Sequence, residues 1–310
     1  MAPRPGWLHC IAMQSLWMLV SAFFFALMAA CVKFTSAHYG TAEIVFFRSL
    51  VGVPVLFGYA LMSGQSLASS VAGMHLRRSA IGVTALGLWF YAIGELPLGT
   101  AMTLNFSSPL FSTTFVVGAS IIAGRRIPWL TAACVATGFV GVVLILQPSF
   151  GAGHELPALL GLLSGFFSAV AYWHVRELGR IGEPEWRTVF YFSLCGCALG
   201  LAGALPAGLT RNHTPEGLAM LLAVGVCATL AQLTMTRAYG RGRTVLTANL
   251  QFSAIVFAAL FGMMLFGDRI ALTGLLGIGI IIASCIGATA LVARRPAARI
   301  EESTIATADK

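Results

Sequence analysis

The sequence predicts an all-α integral membrane protein with ten transmembrane helices, arranged as two inverted five-helix repeats. Three observations carry that reading. The first is composition: 58% of the 310 residues are hydrophobic, 10% are charged, and mean hydropathy is +0.86. A soluble domain carries about a quarter charged residues. The second is run length. Apolar runs of ~20 residues recur along the chain, each long enough to cross ~30 Å of hydrocarbon. They are continuous rather than alternating, so helices and not barrel strands satisfy the backbone in lipid. The third is an internal echo. The stretch FYAIGELPLGTAMTLNFSSPLF, Phe90 to Phe111, lies without a gap over TRAYGRGRTVLTANLQFSAIVF, Thr236 to Phe257. Ala92 meets Ala238, Gly94 meets Gly240, Leu104 meets Leu250, Phe106 meets Phe252, Ser107 meets Ser253 and Phe111 meets Phe257, while Asn105 falls on Gln251.

In order, the spans are expected near 13–36, 42–62, 78–95, 98–122, 127–147, 157–177, 187–208, 215–237, 245–266 and 270–293. They group as a first repeat over 13–147 and a second over 157–293, followed by a polar cytoplasmic tail over 294–310. The stretch before Met13 is short and shows no cleavable signal peptide; Met13 is itself a candidate start. Positive residues set the orientation. With the N-terminus in the cytoplasm, Arg77, Arg78, Arg125, Arg126, Arg176, Arg180, Arg187, Arg237, Arg241, Arg243, Arg294, Arg295 and Arg299 all lie at cytoplasmic ends, and only Arg211 and Arg269 lie outside. Both termini are then cytoplasmic.

Five spans per half is an odd number, so the halves enter the membrane in opposite directions. Loop charges agree: Glu95 and Pro97 stand where the second half has Arg241 and Arg243, and Arg125 stands where it has Asp268. Other segments match as well. Ser21-Ala-Phe-Phe corresponds to Ser164-Gly-Phe-Phe, Lys33 to Arg176, and the loop GRRI (124–127) to GDRI (267–270). Inverted repeats are the signature of alternating-access carriers, with the substrate site near the midplane between the halves.

Candidate binding residues are the polar groups at membrane depth. Pro109 lacks an N–H and its ring clashes with the carbonyl four residues back, that of Asn105. A freed acceptor then lies beside the Asn105 side chain and the Ser107 hydroxyl. In the second half Ile255 replaces the proline, while Asn249, Gln251 and Ser253 remain, so the halves are not equivalent. Arg48 lies several residues into the second span, where a charge costs roughly 2.5–3.5 kcal/mol and seeks a cavity or a partner. Pairing with Glu43, five residues earlier, does not suit one helix face. Trp89 and Tyr91 are interfacial or packing aromatics, or else walls for a planar ligand. Lys33 and Glu43 each suit the local helix dipole, and Glu43 is also the candidate for proton coupling. The excess of Lys33 and Arg48 over Glu43 points toward anionic or zwitterionic substrates.

The ladders Gly161-x3-Gly165 and Gly196-x3-Gly200-x3-Ala204 allow close helix approach. His174 reads as structural. The seven cysteines mostly sit in apolar runs as small buried residues, and Cys195-x-Cys197 lacks a metal-site spacing.

The FYAIGELPLGTAMTLNFSSPLF segment, the GRRI and GDRI loops, the EIVFFRSL opening of the second span and the ten-span inverted repeat together resemble the EamA family of the drug/metabolite transporter (DMT) superfamily. The resemblance covers residues 13 to 293. It implies a bacterial inner-membrane carrier of small metabolites, with a central cavity lined by spans one, three, four, six, eight and nine. Family members export amino acids and other metabolites or import compounds such as riboflavin or S-adenosylmethionine. The family usually has an acid after the loop glycine; Arg125 departs from this and Asp268 keeps it.

The expected function is secondary active transport of a small polar organic metabolite, such as an amino acid, nucleotide derivative or vitamin, by alternating access. A passive channel, a non-transporting sensor and a membrane-embedded lipid-modifying enzyme are the alternatives. The last fits least: the six histidines are scattered and no span carries paired carboxylates. No Walker-type glycine loop is present, and no cofactor or metal is expected. The net charge of +8 is scattered between spans rather than clustered, which argues against nucleic acid. Partners are then a small-molecule substrate, the lipid bilayer and, as a candidate, a second copy of the chain.

Overall fold

The computed structural model describes residues 5–122, 129–151, 153–210, 213–241, 247 and 250–293. Among them are eleven α-helices and no strand. In chain order they are α1 (Pro5–Thr35), α2 (Thr41–Ser63), α3 (Ala72–Glu95), α4 (Leu98–Asn105), α5 (Ser108–Ile122), α6 (Trp129–Gly151), α7 (Glu155–Arg180), α8 (Glu185–Ala207), α9 (Pro215–Arg241), α10 (Ser253–Phe266) and α11 (Leu272–Ala293). Five of these, α1, α2, α7, α8 and α9, contain described stretches long and apolar enough to cross a membrane. Large apolar side chains such as Leu61, Leu130 and Met264 point outward, as a lipid-facing surface requires. Asn249, Arg125 and the tail 294–310 lie outside the described residues.

The span expected over 98–122 is two helices. After Asn105 the backbone turns: the Phe106 N–H bonds to the Met102 carbonyl at 2.8 Å and the Leu110 N–H to the Ser107 carbonyl at 2.8 Å. The Ser107 hydroxyl donates to the Leu104 carbonyl at 2.6 Å. A matching break lies at Phe252, where the Ser253 hydroxyl donates to the Leu250 carbonyl at 2.7 Å. The break recurs without a proline, so Ile255 does not make the halves differ in this respect. What they share is a serine that repairs a carbonyl three residues back.

Helix packing follows an exchange rule. α1 packs along α9 and α7 along α3; α2 packs on α8 and α6 on α11; α2 also touches α9 and α8 touches α3. Exchanging α1, α2, α3 and α6 for α7, α8, α9 and α11 returns the same set of pairs. The glycine ladders sit at these contacts. A Cβ on Gly165 would lie 2.6 Å from the Leu104 carbonyl oxygen, and one on Gly200 would lie 2.7 Å from the Phe46 nitrogen. Only a residue without a side chain lets α7 reach the break after α4, or α8 reach α2. The core draws on both parts of the chain, with Phe25, Trp89 and Phe106 in one cluster with Val175, Ala231 and Phe252.

Candidate functional site

On α3, His75, Arg78, Gly82 and Trp89 recur at helical spacing and share one face. Arg78 places its guanidinium 4.1 Å from the Phe192 ring centroid on α8. It also donates from Nη2 to Gln232 Oε1 on α9 at 3.2 Å. Arg48, from α2, lies over the same ring at 5.1 Å. Gly82 makes room for this ring, since a Cβ there would approach it to 3.0 Å. Both arginines are buried, with 3% and 2% of their surface exposed. Arg48 Nε, Arg78 Nε and Arg78 Nη1 have no hydrogen-bond partner among the described residues.

The described carboxylates that form contacts are engaged elsewhere. Glu43 accepts from the Thr210 N–H at 3.2 Å and hydroxyl at 2.7 Å. Asp268 pairs with Lys33, Glu183 with Arg187, Glu185 with Arg241 and Glu177 with Arg180. A cation–π contact contributes ~0.5–2 kcal/mol, whereas taking a charge out of water without a counter-charge costs roughly several kcal/mol per ion. One ring shared by two guanidiniums therefore does not offset their burial.

A polar layer adjoins this pair. Tyr172 of α7 stacks on Tyr239 of α9, with centroids 5.5 Å apart. The Tyr239 hydroxyl donates to Gln251 Oε1, and the Gln251 amide nitrogen has no partner among the described residues. Asn105 donates to the Ser164 and Ser168 hydroxyls at 2.9 and 3.1 Å, joining α4 to α7. Trp89 meets Phe25 and Phe106 edge-on, with its indole N–H unpartnered among the described residues.

The expected site residues thus separate. Arg48, Trp89, Asn105 and Gln251 are buried in the interior. Tyr91 is half-buried and lies about 200° around α3 from Trp89, on its opposite face. Ser107 is occupied with backbone repair. Glu43 ties α2 to the α8–α9 connection through Thr210 rather than pairing with Arg48, as their five-residue spacing on one helix leads one to expect. Asn249 falls outside the described residues.

Sequence reading missed Arg78, Gln232 and Phe192. Arg78 served there only as an orientation charge. Its signal was the His75–Arg78–Gly82–Trp89 stripe, which puts Arg78 inward and its neighbour Arg77 outward.

The two ends of the bundle differ. At one, Lys33 Nζ lies 3.0 Å from both Asp268 oxygens and 3.1 Å from the Leu96 carbonyl. Asp268 Oδ2 also accepts the Leu98 N–H at 2.7 Å. These bonds join α1, the α3–α4 turn and the α10–α11 connection. At the other end a cavity of about 340 Å³ opens, lined among others by Val175, Gly179, Glu183, Thr188, Thr236 and Arg241. Glu183 stands at its rim. Burial opposes its ionisation, but the Ser69 hydroxyl at 2.6 Å and Arg187 at 2.9 Å outweigh that and hold its carboxyl below the usual range. His75 lies 3.6 Å from the same carboxylate and stacks on Tyr191.

Residues 12–147 and 156–290 each match the EamA-like transporter family. The chain belongs to this family. The EamA-like chain is 31% identical to the pseudopaline exporter CntI of Pseudomonas aeruginosa strain UCBPP-PA14, over 86% of its own length and 93% of the exporter's. It is 26% identical to a riboflavin transporter of Vibrio cholerae, over 82% and 85% of the two chains. A solved crystal structure shares its fold with a TM-score of 0.66 at 16% identity, covering 91% of this chain and 99% of the other. The EamA-like protein is accordingly a multi-pass membrane transporter of small metabolites.

Proposed function

We propose that the protein is a secondary active transporter that moves a small polar organic metabolite across the bacterial inner membrane by alternating access. One observation carries the reading: the bundle is tied at the Lys33–Asp268 end and hollow at the opposite end. A carrier caught with one gate shut has this form, and a continuous pore does not. The packing exchange between α1–α6 and α7–α11 supports two inverted repeats of five spans each, with α4 and α5 forming one broken span. The positive-inside bias supports a cytoplasmic cavity and termini and an outward Lys33–Asp268 tie. Arg48, Trp89 and Gln251 would line the path, with Asn105 and Ser107 holding the break beside it. The Thr210 contacts favour an anchoring role for Glu43 over proton carriage. We read the protein as a carrier rather than an enzyme, because its contacting acids serve in ion pairs and helix ties.

The test starts from metabolite profiles of cells and medium with the gene deleted and overexpressed. A metabolite so identified is then followed in proteoliposomes with and without an imposed proton gradient. Uphill accumulation that collapses with the gradient is expected. Strictly downhill flux under every gradient imposed would instead mark a passive channel.

A further inference from the structure

The arginine pair of α2 and α3 asks for an occupant. We propose that Arg48 and Arg78 form an oxyanion subsite, and that the transported metabolites are organic anions presenting a carboxylate or a phosphate ester. The proposal rests on the transporter reading above and names its substrate class.

Four observations carry it. Both guanidiniums are buried and lie over one ring, Phe192, so two like charges are held close together in a medium of low dielectric. No ion pair among the described residues reaches either of them. Donors remain after the internal bonds are made: Arg78 gives Nη2 to Gln232 and keeps Nε and Nη1, and Arg48 keeps Nε. A guanidinium fork matches the spacing of carboxylate and phosphate oxygens and binds them with charge-assisted hydrogen bonds. Access completes the set. Thr188 and Thr236 line the cavity. Each is four residues from Phe192 or Gln232 on its own helix, about one turn or roughly 6 Å along the axis. The Thr236 hydroxyl is buried and has no partner among the described residues. The cavity thus ends about one helical turn from the arginine pair.

The subsite also lies where movement is required. Arg48 and Arg78 belong to the first half, and Phe192 and Gln232 to the second. A shift between the halves would remake the Arg78–Gln232 bond and change what the two guanidiniums see. An anion bound to both would couple its own passage to that shift.

The experiment compares cells carrying wild type, Arg48→Gln, Arg78→Gln and the double variant Arg48→Met/Arg78→Met. Ion-exchange mass spectrometry of cytosol and medium separates carboxylates, phosphate esters, neutral species and cations. The species that follow wild-type expression are expected to be carboxylates or phosphate esters, and each Gln variant should reduce their flux by about tenfold or more. Melting of the full chain in lipid nanodiscs guards against loss of folding. Removing two unpaired buried charges should leave the Met variant at least as heat-stable as wild type. Wild-type transport of neutral or cationic species overturns the subsite while leaving the transporter reading intact. So does undiminished flux in the Gln variants, or a Met variant that melts well below wild type, which would make the arginines structural. A wild-type chain that moves no metabolite overturns the transporter reading and this one with it.

Discussion

Gly165 shows how much a single missing side chain determines. α7 lies against the carbonyls that the α4–α5 break exposes, and a Cβ at 165 would stand 2.6 Å from the Leu104 oxygen. Gly165→Ala is therefore expected to cost about 1–3 kcal/mol through overpacking. Gly87→Ala, where a Cβ meets nothing within 4 Å, is expected to change stability by no more than about 1 kcal/mol. Melting of the two purified variants beside wild type checks the contrast; equal melting points would mean that α7 does not press on the break. The ladder containing Gly165 was legible in the sequence because small residues four apart form a stripe on a helix. Arg78 was not. Its neighbour Arg77 is exposed, and a basic pair near a helix start looks like orientation charge until a partner helix supplies Phe192. Glu183 sits near this face and gives a pH prediction. Its carboxyl is held below the usual range, so its contacts with Ser69 and Arg187 stabilise the fold above the ordinary carboxylate pKa. That stabilisation is lost as pH falls through the depressed value. Glu183→Gln should flatten this acid limb of a melting-temperature profile without reversing it. An unchanged acid limb would show that Glu183 does not titrate in this way.

At the scale of elements, Asp268 organises three helix ends at once. It holds Lys33 at the end of α1, and it accepts the Leu98 N–H, one of the donors that the start of α4 leaves open. Asp268→Ala leaves the Leu98 N–H without its acceptor and Lys33 with the Leu96 carbonyl in place of a carboxylate. Hydrogen bonds to charged groups are worth ~1.5–3 kcal/mol, so this closure is expected to weaken by one to two orders of magnitude in its equilibrium constant. In a cysteine-free chain, a single cysteine at position 96 should then react faster with a membrane-impermeant maleimide added from outside. No gain in labelling would remove this end as a gate. Asp268 was legible as a loop acid, but its partners were not: Lys33 and Leu98 are 235 and 170 residues away, and no local pattern announces a contact of that separation. The α4–α5 break was half legible. Pro109 marked it in the first half, whereas in the second half only Ser253, standing where Ser107 stands, carried the signal. A proline is a strong breaker by itself, and a serine reveals a break only when its hydroxyl is seen to repair one.

For the whole molecule, the internal echo suggests a division into halves, because both copies keep their polar pairs at the same depth of an apolar run; the family matches residues 12–147 and 156–290 separately. How the halves meet was not legible, since apolar faces carry little information about their partner in lipid, where neighbouring tails are as apolar as a helix. The packing supplies that step. α1 lies on α9 and α7 on α3, α2 lies on α8, and α6 lies on α11. A two-fold axis in the membrane plane gives these pairs if α7 begins on the side opposite to α1. The charge bias read from the sequence is consistent with the same arrangement. Together they predict that residue 40, between α1 and α2, and residue 125, after α5, face opposite compartments. Alkaline phosphatase fused after residue 40 should be active and green fluorescent protein fused there dark, with both readouts exchanged at residue 125. The same readout at both positions would place an even number of spans between them. The first half could not then be an upside-down copy of the second, and a shared site at the seam would lose its structural basis.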